Sequence, residues 1–310
     1  MLMNQMKVRK KWRREHNTLL AMAAPTIVYL LLFCYIPMVG LVMAFQNLDI
    51  SKGIFNSPFV GLRNFEFLFS SSDAYIITRN TVLYNLVFIV FNMSVSVSAA
   101  LLLSSMRSAL FAKTMQTIYM MPYFLSWAVV AIVVNAFLDR DNGLVNAMME
   151  SLGRKSTTNW YHQMRIWPPL LVLVNAWKGV GYQTVLYLAV ITGISTDYYE
   201  AAVLDGASKW QQARYITIPH LRFIVGISII LSMAHIFRGD FGLFYNVPMN
   251  SGRIFPVTDV IDTYIYRALT YLSNVGMSTA AGLYQSVVGF FMVLIVNWIV
   301  TRLDPDSAMF

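Results

Sequence analysis

The chain has 310 residues, of which 57% are hydrophobic and only 12% are charged, and its mean hydropathy is +0.56. That charged fraction is about half of the value for an average soluble domain, so the composition excludes an ordinary soluble protein. The net charge of +8 does not indicate nucleic-acid binding, because membrane topology accounts for it. A single cysteine, Cys34, excludes a disulfide framework or a cysteine-based metal site within one chain, and the histidines lack the spacing of metal ligands.

Long apolar runs recur along the chain and predict an all-α integral membrane protein. Each run is long enough, at about 1.5 Å per residue, to cross about 30 Å of hydrocarbon. The fifth run is interrupted by Arg238, Gly239 and Asp240, so we expect a bent helix there that partly lines an aqueous path. The six predicted spans are residues 19–44, 80–103, 115–138, 168–194, 221–245 and 280–301.

A strongly basic segment, residues 7–14, directly precedes the first span. By the positive-inside rule it stays in the cytoplasm, and six spans return the C-terminus to the same side. We do not expect a cleaved signal peptide, because the first apolar run is too long and its only Ala-x-Ala site precedes the run. The sequence therefore predicts a multi-pass protein of the cytoplasmic membrane, with a basic N-terminus (1–18), one six-span domain (19–302) and a cytoplasmic tail (303–310).

Two outer loops carry apolar residues at helical spacing, which predicts short helices lying on the outer membrane face. Residues 143–153 form the first, with Gly153 as its C-terminal stop. Residues 259–272 form the second, opened by Thr258 and Asp259 and with Asp262 in its first turn.

The inner loop between the fourth and fifth spans, residues 197–219, contains two helix-capping patterns. Asp197 and Glu200 have the three-residue spacing of a capping box, and so do Ser208 and Gln211. This loop is therefore predicted to be a hairpin of two short helices.

The turn between these two helices is predicted at Gly206, in the left-handed conformation that ends many helices. A β-carbon there would strain the backbone by about 1–2 kcal/mol. Pro219 fits the first turn of the fifth span, where its missing N–H costs nothing. On capping chemistry alone, a plain connector and a docking element are equally good interpretations. Catalysis by Glu200 and Asp205 is not expected, because no nucleophile or metal-binding set accompanies them.

The same hairpin resembles the permease subunits of binding-protein-dependent ABC importers, whose pattern is Glu-Ala-Ala-x2-Asp-Gly-Ala-x8-Ile-x-Leu-Pro. Ile218 in place of leucine is the one departure. The matching residues are Glu200, Ala201, Ala202, Asp205, Gly206, Ala207, Ile216 and Pro219. The wider chain is similar to the sugar branch of that family, the maltose-type permeases for complex oligosaccharides. The similar segments are Phe59-Val60-Gly61-Leu62-Arg63-Asn64-Phe65, Asn80-Thr81, Pro122 with Ser126-Trp127, Trp177-Lys178-Gly179-Val180-Gly181 and Ser278-Thr279-Ala280-Ala281-Gly282-Leu283.

The resemblance implies a type I ABC importer permease fold and import of a sugar, an oligo- or polysaccharide, by alternating access. It implies two cytoplasmic ATPase subunits that hold ATP and Mg2+, one of which grips the hairpin. It also implies a second six-span permease in a heterodimer and an extracytoplasmic solute-binding protein. Because the chain has no Gly-x4-Gly-Lys-Ser/Thr phosphate loop, we expect it to be non-catalytic and to bind no cofactor itself.

Polar and aromatic side chains within the spans are candidates for the sugar path, because aromatic faces stack on pyranose C–H surfaces and amides bond hydroxyls. Hydrogen bonding between helices is an equally good role for Trp177 and Tyr182 and a better one for Asn92 and Asn175, and His235 is more typical of an interior histidine than of a ligand. Lys178 must face a cavity or an acid; Asp240 is one candidate partner, and a structural ion pair is the favoured role. The candidates are Tyr84, Asn92, Asn175, Trp177, Lys178, Tyr182, Gln183, Tyr187, His235, Tyr284 and Gln285.

Three alternatives stay open at this point. One is an ABC permease for another solute, such as a peptide, a polyamine or phosphate; the sparse charge in the spans favours a neutral cargo without deciding the matter. An ion-coupled secondary transporter would need carboxylates within the membrane, and the spans hold essentially none. A membrane enzyme would need a His/Asp/Glu constellation, which the sequence does not offer.

Overall fold

The computed structural model describes residues 18–66, 70–153 and 158–303, and these residues fold into an all-helical bundle. Within those ranges there is no β-strand, and one isolated bridge joins Gln46 to Phe59. Nearly all of the predicted N-terminal segment 1–18 and of the tail 303–310 lies outside the described residues. The principal helices are α1 (Thr18–Phe45), α2 (Ser72–Ser104), α3 (Ala109–Met120), α4 (Trp127–Leu138), α5 (Leu144–Ser151), α6 (Trp167–Thr192), α7 (Thr196–Leu204), α8 (Lys209–Met233), α9 (Phe241–Asn246), α10 (Ile261–Thr270) and α11 (Val275–Leu303).

Four of the described helices, α1, α2, α8 and α11, are long and apolar enough to cross a membrane. A fifth span results if α3 and α4 count as one broken span. The predicted fourth span, α6, has 26 residues but is not among them, and we attribute this to Asn175, Lys178 and Gln183, which interrupt its apolar sequence. The all-α membrane fold is confirmed, while the count of six spans stays a prediction.

The third span, predicted as a continuous helix over 115–138, is instead broken and bent by 99°. Pro122 lies in a 3-10 turn, Met121–Phe124, that ends the first half. Ser126 then begins the second half, and its hydroxyl accepts a hydrogen bond from the Val129 N–H at 3.3 Å. A proline that stops one helix and a serine that caps the next together produce the break.

The fifth span was predicted over 221–245, with a bend. The structure has a helix of the same length, 25 residues, that begins earlier, at Lys209, and ends at Met233, and the separate helix α9 follows it. Asp240 caps α9, because its carboxylate accepts a hydrogen bond from the Leu243 N–H at 3.2 Å. The expected bend is therefore a complete break.

Two helices contain a wide π turn directly before a proline. In α1 the turn Leu31–Tyr35 precedes Pro37, and in α8 the turn Ala213–Thr217 precedes Pro219. A proline inside a helix lacks an N–H and crowds the carbonyl four residues earlier, and a wider turn relieves both problems. Pro219 lies in the first turn of the regular part Ile218–Met233, as predicted. However, the prediction of a separate second hairpin helix was wrong, because α8 runs from the hairpin into the span without a break.

The α2–α6 pair forms the centre of the bundle, with contacts along much of both helices. Tyr84 and Trp167 are buried in a core cluster that α2, α4, α6 and α9 share. Farther along, α3 packs closely on α6 at Gly181, where an added β-carbon would lie 1.8 Å from the Tyr119 carbonyl oxygen. Only glycine permits this close approach of the two backbones.

The outer-loop segment before α10 is bonded to α2. The Asn80 side chain donates to the Asp259 carbonyl oxygen at 2.9 Å, and the Thr81 hydroxyl accepts from the Ile261 N–H at 3.0 Å. Asn80-Thr81, a segment that resembles the sugar branch, therefore fixes this outer loop against the bundle.

Both predicted outer-loop helices are present, as α5 and α10. Gly153 has a φ of +77°, as expected for a helix stop, and Asp262 lies in the first turn of α10. The prediction that Thr258 and Asp259 cap α10 was wrong, since the Asp259 carboxylate instead pairs with Arg267 across two helical turns. Burial raises the pKa of Asp259, and the Arg267 guanidinium opposes that shift.

Candidate functional site

The hairpin between α6 and the membrane part of α8 begins two residues earlier than predicted. Ser195 is the N-cap of α7, and its hydroxyl accepts from the Asp197 N–H at 3.3 Å, so Asp197 and Glu200 do not form the cap. Asp197 lies instead in the first turn, where a negative charge favours the helix N-terminus. The second capping box is confirmed: Ser208 and Gln211 exchange bonds of 3.3 and 2.7 Å.

The turn of the hairpin has the predicted left-handed glycine. Gly206 has a φ of +77°, and its N–H donates to the Val203 carbonyl at 3.0 Å. The next N–H, of Ala207, donates to the Ala202 carbonyl at 2.8 Å. These two bonds form a Schellman motif, which fixes the direction in which the chain leaves α7.

One side-chain contact joins the two arms of the hairpin, and a second bond ties the turn to α8. The hydroxyls of Tyr199 on α7 and Thr217 on α8 lie 3.0 Å apart. The buried Gln212 amide donates to the Ala207 carbonyl in the turn at 3.0 Å. The first contact connects α7 to α8 and the second holds the turn on α8, so the hairpin forms one stiff unit.

The tip of this unit exposes large apolar side chains. We define the apolar tip as Val203, Leu204 and Trp210; Leu204 is 89% exposed. An exposed apolar patch on a protein surface marks an interaction site more often than chance. Of the matching motif residues, Ala202, Ala207 and Ile216 are partly buried, and Glu200, Ala201, Asp205, Gly206 and Pro219 are exposed.

Several candidates for the sugar path are engaged in bonds between helices. Asn92 on α2 donates to the Asn175 side-chain oxygen on α6 at 2.8 Å. One turn farther along α2, the Ser96 hydroxyl bonds the Gln183 side-chain oxygen at 3.2 Å. These bonds hold α2 against α6, which is the structural alternative named for polar residues in the spans.

Four further candidates also bond or pack within the bundle. Tyr84 donates to the Val257 carbonyl at 2.7 Å, and Tyr187 is fully buried between α2, α6 and α8. The Tyr284 hydroxyl lies 3.3 Å from a threonine hydroxyl on α2. Gln285 donates to the carbonyl of residue 237 at 2.7 Å, and so ties α11 to the segment that follows α8.

Three candidates keep accessible surfaces in this chain. Trp177 and Tyr182 are half exposed, and the Tyr182 ring stacks on Tyr123 at 4.8 Å with an angle of 14° between the planes. His235 is exposed, with a ring nitrogen 2.9 Å from the Leu231 carbonyl oxygen.

Lys178 does not pair with Asp240 as predicted; within the described ranges no ion pair joins them. Its ammonium donates to the Tyr123 carbonyl at 2.8 Å and lies 5.3 and 5.2 Å from the ring centres of Tyr123 and Trp127. That carbonyl lies in the 3-10 turn that breaks the third span, where the regular helical bonds end. Lys178 therefore stabilises the break, while Asp240 caps α9.

Tyr123 was missed by the sequence analysis, although it contacts two of the candidates. The position of Tyr123 depends on the break in the third span. Pro122 followed by Ser126 was the sequence signal for that break. Reading that pair as a stop and a cap would have placed the exposed turn, with Tyr123 in it, beside α6.

Three comparisons relate the chain to known proteins. The permease protein YteP of a polygalacturonan/rhamnogalacturonan transport system, from Bacillus subtilis (strain 168), is 34% identical over 294 residues, which cover 94% of this chain and 90% of YteP. A crystal structure of a bacterial ABC transporter involved in the import of the acidic polysaccharide alginate includes a chain with a TM-score of 0.84 and 30% identity, covering 96% of this chain and 99% of that one. The alginate transporter in complex with an alginate pentasaccharide-bound periplasmic protein gives a TM-score of 0.83 at 30% identity, with coverages of 94% and 97%.

The sequence profile of one family matches residues 93–305, more than half of the chain. These residues include the hairpin, the break after α8 and the whole of α11. The chain therefore belongs to the family of inner membrane components of binding-protein-dependent transport systems.

Proposed function

We propose that this chain is the permease subunit of an ABC importer that carries a sugar, an oligo- or polysaccharide, across the cytoplasmic membrane. The names of its relatives support a saccharide cargo, because YteP belongs to a polygalacturonan/rhamnogalacturonan transport system and the alginate transporter is involved in the import of a polysaccharide. The observation that carries the proposal is the hairpin, a stiff unit with an exposed apolar tip.

The energy comes from a separate pair of ATPase subunits that bind ATP and Mg2+, since the chain's sequence has no phosphate-binding loop. One ATPase subunit grips the apolar tip, and closure of the ATPase dimer moves the hairpin. Because α8 is continuous from Lys209 to Met233, this movement enters the membrane as a rotation of one helix. The spans then open the path alternately to each side.

The importer contains a second, different permease, and an extracytoplasmic binding protein delivers the cargo. Nearly all of the apolar side chains of α1 are exposed in this chain, so we expect a neighbouring subunit or lipid to cover them. The basic N-terminus and the hairpin both face the cytoplasm in this arrangement. The alginate transporter structure with its periplasmic protein is the precedent for such a complex.

The test is to co-express the chain with its companion subunits and to introduce a charge at the tip. Leu204→Glu places a carboxylate in the docking surface, so we expect the ATPase to be lost from the purified complex and uptake to stop. Leu110→Glu is the matched control, because Leu110 is 78% exposed in the other predicted inner loop and lies outside the hairpin. Retention of the ATPase by the Leu204 variant, or cargo accumulation by the chain alone in vesicles, would contradict the proposal.

A further inference from the structure

Four aromatic side chains form a continuous wall beside α4. Phe241 and Tyr245, one turn apart on α9, stack with ring centres 5.0 Å apart and an angle of 16°. Tyr266 on α10 packs against both at 5.0 Å, and the Tyr271 hydroxyl lies 3.2 Å from that of Tyr245. We call these residues the aromatic wall. Each ring is held by another, so the wall is ordered before any ligand arrives.

A cavity of about 520 Å³ opens between this wall and α4. Tyr245 and Tyr271 line it together with Asn135, Asn246 and Asn250, and no charged side chain does so among the described residues. The side chains of Asn135 and Asn250 have no hydrogen-bond partner within the described ranges, whereas Asn246 donates to a carbonyl of its own helix at 2.8 Å. The cavity thus combines aromatic faces with amide groups that are available to a ligand.

The backbone beside the cavity is strained. Met249 and Asn250 are consecutive non-glycine residues with φ of +53° and +48°, both in the left-handed region. The turn is closed by the Asn250 N–H, which donates to the Tyr245 carbonyl at 3.2 Å. A strained backbone of this kind persists only where the surrounding structure holds it in place. Here the strained turn positions Asn250 in the lining of the cavity.

We propose that this cavity is a saccharide subsite on the predicted outer side of the bundle, which binds a sugar ring before the ring enters the membrane. The inference rests on the proposed import function. The exposed Tyr271 stacks on the C–H face of the ring, and the amides of Asn135 and Asn250 bond its hydroxyls. The volume lies within the range of roughly 300–1,000 Å³ that is usual for small-molecule sites. An acyl chain would leave these amides unpaired in hydrocarbon, which disfavours a lipid occupant.

The experiment uses the complete reconstituted importer and two sets of labelled probes, oligogalacturonides and malto-oligosaccharides. Tyr271→Ala removes the stacking face and Asn135→Leu removes an amide at similar volume. We expect each change to raise the KM for uptake about three- to tenfold, with the maximal rate and the ATPase activity at saturation unchanged. Tyr271→Phe keeps the ring and should stay near the wild-type KM. The matched control is Tyr75→Ala, because Tyr75 is 69% exposed, similar to 63% for Tyr271, and does not line the cavity.

The outcomes separate the two proposals. If the wild-type importer carries neither set of probes but does accumulate a labelled peptide, polyamine or phosphate, saccharide import itself is wrong and the subsite falls with it. If the wild-type importer carries a probe and both variants keep its KM, the subsite is overturned while the import function stands. If the variants instead lose the second permease during purification, the cavity is a subunit interface and the subsite is again overturned.

Discussion

The sharpest prediction concerns Gly206 in the hairpin turn. Its φ is +77°, and an added β-carbon would meet no heavy atom within 4 Å, so a side chain there strains only the backbone. In the left-handed region that strain is about 1–2 kcal/mol, the upper end applying to a β-branched residue. Against a total stability of about 5–15 kcal/mol, a Gly206→Val protein still folds and inserts. However, 1–2 kcal/mol shifts a local two-state equilibrium by a factor of about 5–30.

That shift acts on the turn itself, because the Schellman bonds of Gly206 and Ala207 require the left-handed backbone. We therefore expect Gly206→Val to leave membrane expression unchanged and to lower saccharide uptake and transport-stimulated ATPase activity about 5- to 30-fold. The assay is uptake by the reconstituted importer, with membrane-inserted protein quantified in the same vesicles. Gly206→Asn should retain most activity, because asparagine tolerates the left-handed region better than other residues.

A matched control exists elsewhere in the chain. Gly153, which follows α5, has the same φ of +77° and the same empty surroundings. Gly153→Val therefore adds equal backbone strain outside the hairpin, and uptake should be unchanged. Full uptake by Gly206→Val, or an equal loss in both valine variants, would refute the assignment of the turn to coupling.

Three further predictions concern packing and pairing in the bundle. Gly181→Ala should lower the free energy of unfolding by about 1–3 kcal/mol, because its β-carbon would overlap the Tyr119 carbonyl. Arg267→Met should lower it by about 3 kcal/mol, because it leaves the buried Asp259 carboxylate without its cation. Asn92→Ala should cost about 0.6 kcal/mol and leave the KM for uptake unchanged, because its side chain bonds a neighbouring helix. Thermal unfolding in detergent measures the three changes in stability, and uptake kinetics measure the KM of the Asn92→Ala variant.

Each of these has its own control. Gly179→Ala adds a β-carbon in open space two residues from Gly181, so thermal stability should hold. Adding Asp259→Asn to Arg267→Met should recover part of the lost stability, because the buried charge is gone. A raised KM in Asn92→Ala would contradict this structural role and would indicate that Asn92 contacts the sugar.

The hairpin was largely predictable from the sequence because caps and turns depend on nearby residues. Gly206, Ser208 and Gln211 were assigned correctly, since each satisfies backbone groups within three residues of itself. The first cap was assigned to Asp197 in place of Ser195, and local chemistry does not separate the two, because both side chains are good N-caps. Which one caps depends on where α6 ends, and packing against α2 and α8 decides that.

The breaks and the polar contacts of the spans were harder to predict. Hydropathy reports only whether a segment is apolar, so the third span was drawn straight through Pro122 and Ser126. Likewise, Lys178 needs a partner, but only the folded chain shows that a carbonyl freed by that break is nearer than Asp240. Long-range partners of this kind follow from the arrangement of helices, which a single sequence does not specify.

The continuity of α8 gives the proposed coupling a direct route from the hairpin turn into the membrane. Its 25 residues span about 38 Å, from the hairpin to the break after Met233. At the near end, the Tyr199–Thr217 contact fixes α8 to α7. At the far end, Gln285 and Asn85 bond the carbonyls that follow the helix, and so connect it to α11 and α2. In the proposed mechanism we therefore expect a displaced tip to turn the whole of α8 and to pull directly on α11 and α2. A break in the helix at Pro219 would not transmit that movement.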